Sequence, residues 1–162
     1  MSKLSNLRLV YHVTLRTIAK TLAFLQKKGM VGHEGVVLWP GRVVENVCKV
    51  SSPIFPRQVT GPLHYRIPDD ETFRIIGYIY RQGLVIPIQV HSHPREAFHS
   101  QVDDERAFVQ HENAVSIVVP DYANFSAPNF LTKAHFFRLM SGNWWREMPP
   151  GEVDAIIRVD DL

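Results

Sequence analysis

From Thr14 onward the chain is apolar at Leu15, Ile18, Ala19, Leu22 and Leu25, intervals of three and four that draw one stripe along a helix. Thr14 suits the N-cap, and Lys27, Lys28 and Gly29 supply a basic last turn and a stop, so a first helix is expected over about 13–28. Beyond Glu34 the pattern changes to β-branched and bulky residues. Val36–Trp39 reads as a strand, Pro40-Gly41 as a turn, and Val43, Val44, Val47 and Val50 as the returning strand. Pro53, Pro56, Gly61, Pro62 and Pro68 predict an irregular excursion over 51–68. Asp69 and Asp70 then open a second helix over about 70–82, with Phe73, Ile76 and Tyr80 as its expected inner face and Gly83 as its end.

Leu84–Ser92 is short and rich in Val and Ile, hence a strand, followed by a short helix near 103–110 and a buried strand at Val115–Val119. Phe136–Met140, Asn143–Glu147 and Val153–Val159 read as further strands, the first two joined by the Ser141-Gly142 turn. Trp144 and Trp145, adjacent on a strand, should face opposite sides. Helices and antiparallel hairpins mix without repeat or linker, which indicates one α+β domain over residues 1–162.

Composition narrows the class without naming a function. With 45% apolar and 21% charged residues the chain is not disordered, and a net charge of +2 with no basic run gives no nucleic-acid signal. Cys48 is the single cysteine, which excludes an internal disulfide and a thiolate zinc finger. No segment approaches the roughly 20 apolar residues of a membrane span, and the first residues lack a secretory apolar stretch, so a cytoplasmic protein without membrane contact is expected.

One stretch carries chemistry: Gln89-Val90-His91-Ser92-His93-Pro94 closing a strand, then Ser100-Gln101-Val102-Asp103. Alternate strand residues share a face, so the His91 and His93 rings point the same way, and Pro94 ends the ladder beside them. The intervening loop is long enough to fold Asp103 back as a third ligand. Three protein ligands plus water is the pattern of catalytic zinc, whereas four would close the site. Ser100 and Asp103 also suit a helix N-cap pair, and both roles are compatible.

These residues resemble the JAMM, or MPN-plus, zinc metalloproteases, whose signature is an upstream glutamate, His-x-His-Pro and Ser-x-x-Asp. Here Glu34, His91-Ser92-His93-Pro94 and Ser100-Gln101-Val102-Asp103 fill those positions, with one residue fewer than usual before the serine. Asp104 would restore the usual spacing but would put Gln101 in the serine's place, so Asp103 is preferred. The order of elements along most of the chain is similar to the family's as well. The resemblance implies a cytidine-deaminase-like MPN/JAMM core, a curved, mostly antiparallel β-sheet flanked by helices.

It also implies one catalytic Zn²⁺ held by His91, His93 and Asp103, Glu34 as general base, and Ser100 as donor to the oxyanion. The implied substrate is an amide, most characteristically the isopeptide bond after the C-terminal tail of ubiquitin or a ubiquitin-like modifier. Segments 51–68 and 120–134 stand where eukaryotic members carry modifier-holding insertions, and both are short here. The chain therefore looks like the minimal bacterial type that accompanies ubiquitin-like conjugation systems, whose other members would be its partners. Two alternatives remain open: a catalytically silent MPN scaffold, and a hydrolase of small peptide or sulfur-carrier conjugates.

Overall fold

A computed structural model describes residues 8–100, 103 and 107–161. In chain order the elements are β1 (Val10–Thr14), α1 (Leu15–Met30), β2 (Val36–Val44), β3 (Val47–Val50), β4 (Val59–Gly61), β5 (His64–Arg66), α2 (Asp69–Gln82), β6 (Val85–Ser92) and β7 (Val115–Val119). Then come short 3₁₀ turns at Asp121–Ala123 and Ala127–Asn129, α3 (Phe130–Lys133), β8 (His135–Met140), β9 (Trp144–Glu147), α4 (Pro150–Ile156) and β10 (Ile157–Asp160). Eight strands form one sheet in the order β10-β1-β3-β2-β6-β7-β8-β9, while β4 and β5 make a separate hairpin. The sheet is mostly antiparallel; only β1–β10, β1–β3 and β6–β7 run parallel.

The sheet has a helix on each side. Thr14 caps α1 by accepting from Thr17 N–H at 3.1 Å, and Ile18, Leu22 and Leu25 pack with Val37, Trp39, Ile88, Val90 and Ile117. Trp39 is fully buried there, its indole N–H donating to Thr21 Oγ1 at 2.9 Å, so the largest core side chain leaves no polar atom unpaired. On the opposite face Ile75 and Ile79 of α2 cover Val36, Leu38 and Tyr65. Among the described residues no helix is long and apolar enough to cross a membrane.

The α+β class and the mostly antiparallel sheet match the expectation, and several local features do not. β1 was not foreseen, although Leu9, Tyr11 and Val13 alternate inward at its period of two. Gly29 does not stop α1, which continues to Met30 before Gly32 takes φ +72°. Pro40-Gly41 is no turn: the β2–β6 register shifts between Trp39 and Gly41, so this pair forms a bulge inside a nine-residue strand, a place proline tolerates. The turn is at Glu45, φ 56°. The excursion at 51–68 contains the β4–β5 hairpin, and 120–134 contains two 3₁₀ turns and α3.

The expected inner face of α2 points outward, with Phe73 at 73% and Tyr80 at 86% exposure. Glu71 decides the rotation of that helix. Its carboxylate accepts Arg57 N–H at 2.9 Å and the Arg74 guanidinium at 2.7 and 2.8 Å, which buries the 71, 75, 79 stripe instead. The expected strand at Val153–Val159 begins as α4, because Pro150 and Glu152 favour a helical first turn, and only its second half is β10. Asp103 is helical while residues 107–110 are not, and the middle of the short helix expected over 103–110 lies outside the described residues. Trp144 is exposed and Trp145 half-buried, on opposite faces as expected.

Candidate metal centre

Strand register builds the site. β2 and β6 run antiparallel with Val36 opposite His91 and Leu38 opposite Gln89, so these residues share the α2 face of the sheet. The pairing persists beyond the strands: Ser92 N–H donates to Gly35 O at 3.1 Å, and Gly35 N–H to Ser92 Oγ at 3.1 Å. Carried one residue further, the same register sets Glu34 against His93. On the other flank β7 runs parallel to β6, and His93 N–H donates to Val119 O at 2.9 Å. A glutamate from far upstream thus reaches the histidine pair through ordinary sheet geometry.

Asp103 arrives from the loop after His93. Ser100 and Asp103 cap each other: Asp103 N–H donates to Ser100 Oγ at 3.1 Å, and Ser100 N–H to Asp103 Oδ2 at 2.7 Å. This cap aims the carboxylate at the rings. Asp103 Oδ2 lies 3.2 Å from His93 Nε2 and 3.3 Å from His91 Nε2, and one ligand atom from each of the three residues falls within 4.8 Å of the others. Bonds of ~2.0–2.1 Å to a tetrahedral zinc ion place neighbouring ligand atoms about 3.3 Å apart, so the carboxylate-to-imidazole spacings suit one ion. Asp104, the competing choice, lies outside the described residues.

Polar satisfaction points the same way. All three side chains are buried, yet neither ring nitrogen of His91 makes a hydrogen bond among the described residues. Nε2 faces only the Asp103 carboxylate, at 3.3 Å; a buried imidazole so poorly hydrogen-bonded is costly, and a bound cation removes that cost at one nitrogen. His93 is better provided, with Nδ1 3.2 Å from Glu96 O, which turns Nε2 toward the centre. Burial alone would raise the Asp103 carboxyl, but contacts from His91, His93 and Ser100 N–H hold it well below the usual carboxylate range. Burial disfavours a charged His93, yet Asp103 and Glu34 raise its pKa. The carboxylates of Asp103 and Glu34 thus favour positive charge beside the rings, which suits a cation.

Glu34 is 4% exposed, its N–H donating to Gly61 O at 2.9 Å in the β4–β5 hairpin. Desolvation pushes its carboxyl up to about 7, with His93 opposing the rise and Asp103 adding to it. Such a group can both accept and release a proton near neutral pH. Glu34 lines a cleft of about 400 Å³ with His93, Pro94, Leu63 and Phe98, so one candidate ligand and the carboxyl of Glu34 open onto one space.

The chain is similar to a probable metalloprotease. It is 28% identical over 146 residues to the protein named probable metalloprotease y4jG of Sinorhizobium fredii (strain NBRC 101917 / NGR234), covering 88% of this chain and 89% of that one. No protein-family model matches. Among solved structures, the solution structure of protein DSY2949 from Desulfitobacterium hafniense superposes with a TM-score of 0.65 at 16% identity, covering 94% of each chain, a likeness of fold.

Sequence reasoning missed the layer beneath the ligands. Gln89, two residues before His91 on the same face, accepts from Phe108 N–H at 2.8 Å and donates to Ser116 Oγ at 3.1 Å. His99 places Nε2 3.1 Å from Ser116 Oγ and stacks on Trp145 at 4.7 Å between ring centroids. Its ring also stands 5.8 Å from that of His91, and Tyr65 approaches the other side at 5.5 Å. The period of β6 could have flagged Gln89; nothing local marked Tyr65 or His99. His64 and His111 are exposed and do not belong to the ligand group.

Proposed function

We propose that this protein is a metal-dependent peptidase of the JAMM type. His91, His93 and Asp103 would hold one Zn²⁺ ion, with Glu34 as general base and Ser100 as a hydrogen-bond donor to the substrate oxygen. The observation that carries this reading is the convergence of three buried ligand groups, His91, His93 and Asp103, of which His93 shares a cleft with Glu34. Similarity over most of the chain to a protein named as a probable metalloprotease supports it independently.

The bound ion supplies two things, a lowered pKa for water and polarisation of the scissile carbonyl. The chain's own residues do the rest. Glu34, raised to about 7, takes a proton from the attacking water and returns it to the departing amine. Ser100 Oγ accepts from Asp103 N–H, which leaves its hydroxyl proton for donation to the developing oxyanion. Leu63 and Phe98 form an apolar rim that excludes water from the bond being broken.

For substrate we infer an amide presented by an extended segment, the C-terminal tail of a ubiquitin-like modifier joined to a lysine or to a precursor extension, within a ubiquitin-like conjugation system. An extended tail fits an open strand end, where main-chain hydrogen bonds give affinity and side-chain pockets give selectivity. The test is to measure zinc in the purified protein, then incubate it with ubiquitin-like fusions, lysine-linked conjugates and small peptide amides, beside Glu34→Gln and chelator controls. Near-stoichiometric zinc and chelator-sensitive cleavage at the modifier's tail are expected. Cleavage of small amides alone would shift the substrate to peptides, and a metal-free, inert protein would leave only a scaffold.

A further inference from the structure

Between β7 and α3 the backbone turns left-handed. Asp121, Tyr122 and Ala123 follow one another at φ of 53°, 52° and 62°. Single residues of this kind occur at many turns, but three in succession, one aromatic, persist only where surrounding contacts impose them. Those contacts reach both halves of the metal centre. Toward the histidines, Tyr122 N–H donates to His93 O at 2.9 Å and Asp121 N–H to Arg95 O at 3.0 Å, so His93 is gripped through its carbonyl as well as its N–H.

Toward the glutamate, the Tyr122 hydroxyl donates to Gly32 O at 3.2 Å, two residues before Glu34, and Gln26 Nε2 donates to Ala123 O at 2.8 Å. The Tyr122 side chain also lies flat on α1 at Gly29, where an added Cβ would fall 2.3 Å from Tyr122 Cβ. Gly29 is therefore required for close approach, which explains a glycine inside a helix it does not end.

We propose that Tyr122 is a positioning residue: it clamps the loop carrying Glu34 to the segment carrying His93 and so sets the separation of base and metal ligand. Its effect on turnover rests on the peptidase reading above; the clamp itself belongs to the metal-free chain. Only residues 31–35 connect α1 to β2, so the loop end fixed at Gly32 governs where the Glu34 backbone lies. A displacement of about 1 Å at such a group can cost on the order of 10²-fold in rate.

Tyr122→Gly tests this because glycine accepts the left-handed backbone and keeps the N–H while losing ring and hydroxyl, whereas Tyr122→Phe loses the hydroxyl alone. In the metal-free protein, amide exchange at Glu34 and Asp121 should quicken by about tenfold or more in Tyr122→Gly and in Gly29→Ala, with β6 and β7 amides unchanged. In the zinc-loaded protein, Tyr122→Gly should lower kcat by about 10- to 100-fold with KM and zinc content held, and Tyr122→Phe, which keeps the ring against Gly29 but loses the bond to Gly32 O, should show a smaller loss of the same kind. Unchanged exchange at Glu34, a kcat within about twofold of wild type, or an equal loss of β6 and β7 protection would each overturn the clamp. Selective loosening of Glu34 in a protein that cleaves nothing with zinc would uphold the clamp and defeat the peptidase reading instead.

Discussion

Ser100→Ala separates two roles that one hydroxyl can play. Structurally Ser100 Oγ accepts Asp103 N–H at 3.1 Å, a helix cap whose loss costs about 1 kcal/mol. For a domain of 162 residues that is a fall in melting temperature of roughly 2–4 °C. The return bond, Ser100 N–H to Asp103 Oδ2 at 2.7 Å, is main-chain and survives the substitution, so the carboxylate keeps its aim and the metal should stay bound. If the hydroxyl also donates to the oxyanion, kcat should fall by about 10²–10³, a loss of about 3–4 kcal/mol in the transition state that the cap alone cannot produce. The assay is cleavage of a fluorogenic amide under saturating zinc, with melting and metal content measured on the same preparation. A few degrees lost with kcat within threefold would reduce Ser100 to a cap. Zinc lost along with activity would mean the hydroxyl matters through Asp103.

Glu34→Gln should abolish most turnover, by about 10²–10⁴, while zinc remains bound. Because the folded carboxyl is raised to about 7 by burial, ionising it opposes folding as pH rises from about 4.5 to 7; metal-free Glu34→Gln should exceed wild type at pH 8 by about 1–3 kcal/mol in denaturant melts and equal it near pH 4. Chelation should lower the melting temperature and zinc at about 1,000 times its Kd restore about 4 kcal/mol, a difference that calorimetry should not find in His91→Ala. Glu71 provides the opposite pH sign: Arg74, with Arg57 N–H, lowers its carboxyl to about 2, so its contribution is full above about 4.5 and lost as pH falls toward 2. Discounted for the exposed Arg74 partner, that is about 1–2 kcal/mol, which an acid melt of Glu71→Gln compared with wild type should lack.

The parts of the site that rest on short-range periodicity were legible in sequence. His91 and His93 share a face because strand side chains alternate, and Ser100 and Asp103 stand at the spacing of a cap, so both pairs announce themselves within a few residues. Glu34 was legible only through its order in the chain, since its approach to His93 depends on the β2–β6 register. The rotation of α2 was not, because the helix is turned by Glu71, a buried charge whose partner Arg57 N–H lies outside the helix. A stripe at Phe73, Ile76 and Tyr80 is as regular as the one actually buried, and hydrophobic periodicity cannot choose between them. The left-handed turn at Tyr122 carries no local signal either, for neither aspartate, tyrosine nor alanine requires that backbone; it is held by contacts far away in sequence, at Gln26, Gly29, Gly32, His93 and Arg95.

The bulge at Pro40 shows why that register is reliable at one end of β2 and free to change at the other. Between Val36 and Trp39 every pairing with β6 keeps the same offset, and these residues are fully buried on both faces, so a one-residue slip would exchange two packed cores at once. After Trp39 the strand approaches solvent and the offset shifts by one without disturbing either core. The site lies at the buried end, where Ser92 Oγ and O···H–N bonds to Gly35 extend the ladder past its last paired strand residues. Glu34 and His93 therefore inherit their alignment from the most constrained part of the sheet, and the remaining freedom lies in the loop from Val31 to Gly35. That loop is the one Tyr122 and the β4–β5 hairpin hold from opposite sides, through Gly32 O and Glu34 N–H. The placement of Glu34 is thus divided between sheet register, which sets it opposite His93, and two contacts that hold its loop.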